Sequence, residues 1–337
     1  MKSRNIVFVE QNVARLIEEE VSLPKENEIL VKICVSSISS GTERANLTGN
    51  ENVSYSSPAK KAVFPRRGGY SSAGIVEEIG DAVTKFKVGD RVALWWSTHN
   101  EYITISENKA CLINDIPFED AALLHIATFP LAAIRKCRLE IGESAIVMGM
   151  GMLGIVALQL LKSAGSVPII AVDPDIKKRE KALKCGADFA LDPYAPDFAE
   201  TAIKLTNGGA KVGIEVTGIG AGLDGILDCM ARFGRVALLG CTRNSDFTID
   251  YYRKVHGPGI TLVGAHTLAR PDRESHGGWW SQVDDMNALK DLTKMGRINL
   301  SEIIDEVHSP EEANEVYTQL AFHKTFPLVQ FDWRKLK

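Results

Sequence analysis

The sequence predicts an α/β chain of two domains, one β-rich and one built on a doubly wound parallel sheet. Three observations predict it. Residues 1 to about 120 carry short alternating or β-branched runs, the mark of half-buried strands. From Phe118 to Gly264, helix-length segments alternate with apolar runs, the pattern of a parallel sheet covered by helices. Between Ser144 and Asp173 lies one strand–turn–helix–strand unit ending on an acid. At 337 residues the chain has room for about two domains.

That unit carries the sharpest signal. A short apolar run, Ala145-Ile146-Val147-Met148, leads into Gly149-Met150-Gly151-Met152-Leu153-Gly154. A segment of helical length, Ile155 to Ala164, and a second apolar run, Pro168 to Val172, follow. Gly149 lets the chain turn off the strand, Gly151 lets backbone approach a pyrophosphate, and Gly154 lets the helix pack close to the sheet. The helix N-terminus offers N–H groups and partial positive charge to that phosphate. Asp173 sits about twenty residues past the glycines, where a carboxylate accepts the ribose hydroxyls. An acid there repels a 2′-phosphate, so NAD is the expected cofactor over NADP. The three glycines and Lys162 argue against reading the apolar stretch as a membrane span.

The remaining elements follow in order. Strands are expected at 5–10, 14–19 and 28–35, punctuated by Pro24 and Asn27, and a polar loop from Gly49 to Pro65. A strand runs from Ala73 to Gly80, and another follows the turn at Gly89-Asp90. Beyond the glycine unit come a helix from about Lys177 to Cys185, strands at 212–216, 235–240 and 261–264, a late helix from Pro310 with an acidic first turn, and a last strand at 327–332.

Composition narrows the function. Net charge is −4 with no long run of one sign, which argues against a nucleic-acid partner. The first ten residues lack the apolar stretch of a signal peptide. Six scattered cysteines without a C-x-x-C pair read as reduced thiols. A cytoplasmic chain with no membrane partner is expected.

The chain resembles the medium-chain dehydrogenases/reductases, alcohol dehydrogenase-like enzymes with a GroES-like domain. The resemblance spans nearly its whole length. It is carried by Ser40-Gly-Thr-Glu, Gly69-Tyr-Ser-Ser-Ala-Gly-Ile-Val-Glu-Glu-Ile-Gly, Val88-Gly-Asp-Arg-Val, Glu101-Tyr, the glycine motif, Gly186-Ala-Asp and Thr217-Gly. It implies a GroES-like β-rich catalytic domain at 1–120, completed by 265–337, and a Rossmann NAD-binding domain at 121–264. Arg179, Thr217 and Gly240 join the expected cofactor set.

The departures bear on chemistry. Zinc members usually carry Cys-Gly-Thr-Asp where this chain has Ser40-Gly41-Thr42-Glu43, and Gly-His-Glu where it has Gly69-Tyr70-Ser71. The third ligand position falls on His125. Serine and tyrosine hydroxyls are poor zinc ligands, and one histidine does not hold the ion. The four-cysteine loop of the structural zinc is missing too. No metal of either kind is therefore expected. These variants resemble zinc-free sub-branches, the bacteriochlorophyllide dehydrogenases and the bi-domain oxidoreductases.

Without zinc another group must handle the hydroxyl proton. Tyr70, His125, Thr42 and Ser40 fall where the family keeps its metal and proton relay, so they are the catalytic candidates. Each has a plainer explanation: Tyr70 filling space, His125 as a core histidine, Thr42 turning the loop. Glu43, Arg67, Trp95, His99, His266 and Trp279 are the candidate substrate contacts. Tryptophans beside polar groups suit a sugar ring, though they also serve as anchors or oligomer contacts, and Arg67 also reads as a solvated loop residue.

The expectation is a zinc-independent NAD-dependent dehydrogenase. It would interconvert a secondary alcohol and a ketone on a sugar, polyol or cyclitol, as a homo-oligomer. The alternatives are a zinc-free quinone or enoyl C=C reductase and a non-catalytic NAD-binding protein on the same fold.

Overall fold

The structure is a computed structural model and describes residues 1–54 and 58–337. Residues 55–57, inside the expected loop at 49–65, lie outside the described residues. In chain order come β1 (Lys2–Glu10), β2 (Val13–Glu20), β3 (Glu28–Ser37), α1 (Ser40–Leu47), β4 (Arg66–Arg67), β5 (Ser71–Ile79), β6 (Arg91–Trp95), β7 (Tyr102–Ser106), β8 (Ala110–Leu112), α2 (Phe118–Ala121) and α3 (Leu124–Lys136). Then follow β9 (Ala145–Met148), α4 (Met152–Ser163), β10 (Ile169–Val172), α5 (Ile176–Lys184), β11 (Phe189–Leu191), α6 (Phe198–Leu205), β12 (Ala210–Glu215), α7 (Gly220–Asp228), β13 (Met230–Leu238), β14 (Thr261–Gly264) and α8 (Gln282–Lys294). The chain closes with β15 (Glu306–His308), α9 (Ala313–Phe322) and β16 (Val329–Asp332).

The chain forms two compact units, Met1–Ile126 with Asn299–Lys337, and Ala127–Ile298. Residues 265–298, expected with the catalytic domain, stay with the second unit instead. One tie to the rest of that unit is an ion pair: Asp285 on α8 is wholly buried and pairs with Arg135 of α3 at 2.9 Å, with Arg270 of its own segment 3.7 Å away.

The first unit is the β-rich one. A three-stranded sheet has the order β2-β1-β4, and a larger sheet runs β15-β16-β3-β5-β6-β8 with β7 pairing β3. Apolar side chains of β1, β3, α9 and β16 meet in one core that includes Ile6, Phe8, Ile29, Tyr317 and Phe331.

The sequence reading missed α1. Its stretch, Ser-Gly-Thr-Glu-Arg-Ala-Asn-Leu, has little intrinsic helix preference. Tertiary contacts make it a helix: Glu43, Ala45 and Leu47 are buried, and Glu43 Oε1 accepts the Ser39 N–H at 2.7 Å.

The second unit is an all-parallel six-stranded sheet of order β11-β10-β9-β12-β13-β14. The order reverses between β9 and β12, the switch point at which such sheets bind ligands. Every residue of β9 and β10 is buried, which explains why their sequences read as unbroken apolar runs. β14 matches its expected bounds and forms one edge of the sheet.

Candidate functional site

The glycine turn after β9 has the geometry its spacing predicts. Gly149 has φ of +104°, a conformation that favours glycine. A Cβ on Gly154 would lie 1.9 Å from the Gly149 carbonyl oxygen, so no other residue fits there. A Cβ on Gly151 would meet nothing within 4 Å, leaving the start of α4 open to a ligand. No side chain caps that helix start, the arrangement that lets a helix N-terminus receive an anion. The Met150 N–H behaves differently: it donates to Asp173 Oδ2 at 2.8 Å. Met150 therefore orients the acid instead of a phosphate.

Asp173 follows β10, takes a second N–H from Asp175 at 2.9 Å and lies 3.9 Å from Lys178 Nζ. The Arg179 guanidinium donates to the Asp173 and Pro174 carbonyls and to Asp192, bracing the turn that presents the acid. Thr217 and Gly240 sit where the loops after β12 and β13 touch, since a Cβ on Gly240 would lie 2.4 Å from the Gly218 nitrogen. Glu215, which the sequence reading passed over, holds this loop. It accepts the Thr217 N–H at 2.7 Å and the Thr217 hydroxyl, and burial pushes its pKa up. Its signal was an acid ending an apolar strand.

In the first unit, Tyr70 and His125 meet edge to face with ring centres 5.7 Å apart. Trp96 stands 4.8 Å from His125 and 5.9 Å from Tyr70. The Tyr70 hydroxyl donates to Ser39 Oγ. Elements far apart in sequence converge here: the start of α1, the lead into β5, the end of β6 and the start of α3. Trp96 has φ of 59°, an unusual conformation for a bulky residue, and strain of this kind concentrates at functional sites. Ser40 and Thr42 lie in the first turn of α1, both half-buried, and the Thr42 carbonyl accepts from Asn46.

Several expected substrate contacts are placed otherwise. Trp95 is 6% exposed within β6, so its neighbour Trp96 takes the site position. Arg67 is spent on Glu19, with both contacts under 2.9 Å. His99 and Glu43 are 0% and 1% exposed and belong to a closed network. Trp333 Nε1–H donates to Ser36 Oγ at 2.9 Å, and the Ser36 hydroxyl donates to His99 Nδ1 at 2.7 Å. The Glu43 carboxylate can only accept, so His99 Nε2, 3.1 Å from Glu43 Oε2, is the donor there, and the Tyr317 hydroxyl donates to the same oxygen at 2.5 Å. Burial first, then the neighbouring Glu43, raises the Tyr317 pKa well above its usual value. These groups brace α1 and its Ser39 start; they are closed to a substrate. His266 and Trp279 lie in the second unit, half-buried. Ser39 and Glu215 are missing from the sequence reading, which took Trp96 only as one of a pair with Trp95. Ser39 adjoins Ser40, so the neighbourhood was marked but not the residue.

Two family profiles match this chain. Residues 25–130 match the alcohol dehydrogenase GroES-like domain and residues 153–275 the zinc-binding dehydrogenase domain. The chain belongs to the alcohol dehydrogenase-like medium-chain dehydrogenases/reductases. It is thus an oxidoreductase of alcohol CH–OH groups. A D-guloside 3-dehydrogenase from Shigella flexneri is 24% identical over 94% of this chain and 95% of its own length. An L-threonine 3-dehydrogenase from Pyrococcus horikoshii is 26% identical over 86% and 87%. The crystal structure of benzyl alcohol dehydrogenase from Acinetobacter calcoaceticus shares the fold with a TM-score of 0.84. Its identity is 20%, and 98% of this chain and 99% of that one are covered.

The zinc in one profile's name can be tested on the donor set. Among the described residues no three His, Cys, Asp or Glu side chains converge as metal ligands. Around His125 stand a phenol and an indole instead. Nor is any described helix long and apolar enough to cross a membrane.

Proposed function

We propose that this family member is a zinc-independent, NAD-dependent dehydrogenase that interconverts a secondary alcohol and a ketone on a polar, sugar-like or polyol substrate. The observation that carries this reading is the Tyr70–His125–Trp96 cluster, in which Tyr70 and His125 fall at two of the positions where zinc members keep their metal ligands. A phenol, an imidazole and an indole make a poor zinc site but a sound site for moving a hydroxyl proton. The Trp96 ring suits the C–H face of a sugar. Relatives named for guloside, threonine and butanediol oxidation support the alcohol class.

The residues fit a dinucleotide. Gly151, Met152 and Leu153 would take its pyrophosphate and Asp173 its ribose hydroxyls. When bound, it supplies the hydride acceptor. The chain's own residues do the rest. In oxidation the substrate's single hydroxyl proton goes to the His125 imidazole, or to the Tyr70 phenol as that phenol passes its own proton to Ser39 Oγ, its hydrogen-bond partner. Asp173 disfavours a 2′-phosphate, which supports NAD over NADP. The exposed edge strand β14 supports a homo-oligomer paired through that edge; light scattering that reads a single chain's mass at micromolar concentration would rule this out.

The test is a panel of glycosides, polyols and cyclitols assayed with NAD and with NADP, on protein purified without a metal-binding tag and checked by elemental analysis. NAD-linked oxidation of at least one alcohol without stoichiometric zinc supports the reading. Zinc at one per chain, with activity lost to a chelator, sinks it.

A further inference from the structure

The second unit holds a buried cation without a counter-ion. Lys136 ends α3 and is 7% exposed. Its Nζ lies 4.8 Å from the centre of the Trp279 ring and 3.5 Å from the Gly264 carbonyl oxygen, the outer limit of a hydrogen bond. The buried acid nearby, Asp285, is already shared between Arg135 and Arg270. Among the described residues no carboxylate comes within 4.0 Å of Lys136 Nζ. Three cations, Arg135, Lys136 and Arg270, thus surround one buried carboxylate.

Such an arrangement is costly. A buried ammonium without a partner loses its hydration and gains little in return. The carbonyl end of α3 returns a smaller amount. Burial, with Arg270 adding to it and Asp285 and Cys137 opposing, lowers the Lys136 pKa to about 8. His266 is shifted down as well, by burial first and then by Lys136 and Arg243. Groups displaced in this way by burial and charge mark functional sites.

The location points the same way. Gly264 ends β14, His266 follows it by two residues, and Arg243 follows β13. All lie beyond the carboxyl ends of parallel strands, where open α/β sheets take their ligands. Trp279 offers an aromatic face beside the cation.

We propose that Lys136, His266 and the Trp279 ring form a binding site, within the second unit, for an oxyanion of the carboxylate or phosphate class. The ammonium meets the anion, and the indole covers adjacent C–H groups of the molecule that carries it.

Binding can be measured without turnover. Inorganic phosphate and acetate are titrated calorimetrically into the full-length protein at constant ionic strength with chloride as balance. The parent should bind one of them saturably, one per chain. Lys136→Gln should weaken that binding by at least ~10-fold, as expected for a lost charge-assisted bond, and Lys136→Arg should keep most of it. Thermal melts of both variants confirm folding. Tighter phosphate marks a phosphorylated ligand and tighter acetate a carboxylated one; either supports the site. Absence of saturable binding by the parent, or equal binding by Lys136→Gln, overturns it.

Discussion

Two buried polar clusters, one in each unit, solve the same problem in opposite ways. In the first, the Glu43 carboxylate is 1% exposed and accepts three hydrogen bonds, from Ser39, His99 and Tyr317. His99 is in turn fixed by Ser36, and Ser36 by Trp333. Each polar group there has a partner, as a stable buried network requires. In the second, Lys136 is almost as deeply buried yet meets a distant carbonyl and an aromatic face. The first cluster holds structure in place; the second carries a charge that its own surroundings do not answer. A buried polar group is therefore judged by its partners, not by its burial.

The comparison can be sharpened by experiment. The largest effect should come from what the first cluster supports. Tyr70 rests on Ser39, whose N–H is bound by Glu43. Tyr70→Phe and His125→Asn should each lower turnover by about 10²–10⁴, the usual cost of losing a general acid or base, while NAD affinity and melting temperature hold. Near-normal turnover from both variants would show that the cluster braces a passive packing residue. The proton would then have to leave by another route.

Next comes Glu43 itself. Glu43→Ala strands the Ser39 N–H, the His99 Nε2–H and the Tyr317 hydroxyl in the core. Breaking a buried charged network typically costs about 3–5 kcal/mol, so urea unfolding should show a loss of that order. A loss within about 0.5 kcal/mol, the scale of a surface substitution, would erase the contrast between the clusters.

The smallest effect belongs to Lys136 and shows as a pH dependence. Its folded pKa of about 8 lies below the ordinary 10.5. The unfolded chain therefore holds the proton more tightly than the folded one between these values. The penalty for burying the ammonium is fully present below pH 8 and is relieved as pH rises toward 10.5, so stability should increase across that window. Partial solvent access reduces the full linkage value, leaving a gain of about 1–3 kcal/mol. Lys136→Met should remove that increase and leave the protein at least as stable at pH 7. Identical unfolding curves for parent and variant at pH 7.5 and 10 would mean that Lys136 is compensated after all.

Local chemistry determined a good deal by itself. The parallel-sheet unit was legible because strands buried on both faces must be apolar throughout, as at Ala145–Met148 and Ile169–Val172. The glycine turn was legible because sterics allow little else: Gly154 has no room for a methyl group and Gly149 needs a positive φ. Those constraints act within a few residues, so spacing alone records them. The tertiary structure decided the rest. It made α1 from a weak helix former by burying Glu43, and it chose Trp96 over Trp95 by turning the chain at the end of β6. It kept residues 265–298 with the second unit, where Asp285 pairs with Arg135 of α3. It closed Glu43 and His99 off from solvent through Tyr317, Ser36 and Trp333. Each of these outcomes depends on groups brought together from distant parts of the chain. The charge, burial and partners that settle a side chain's role arise only once those parts have met.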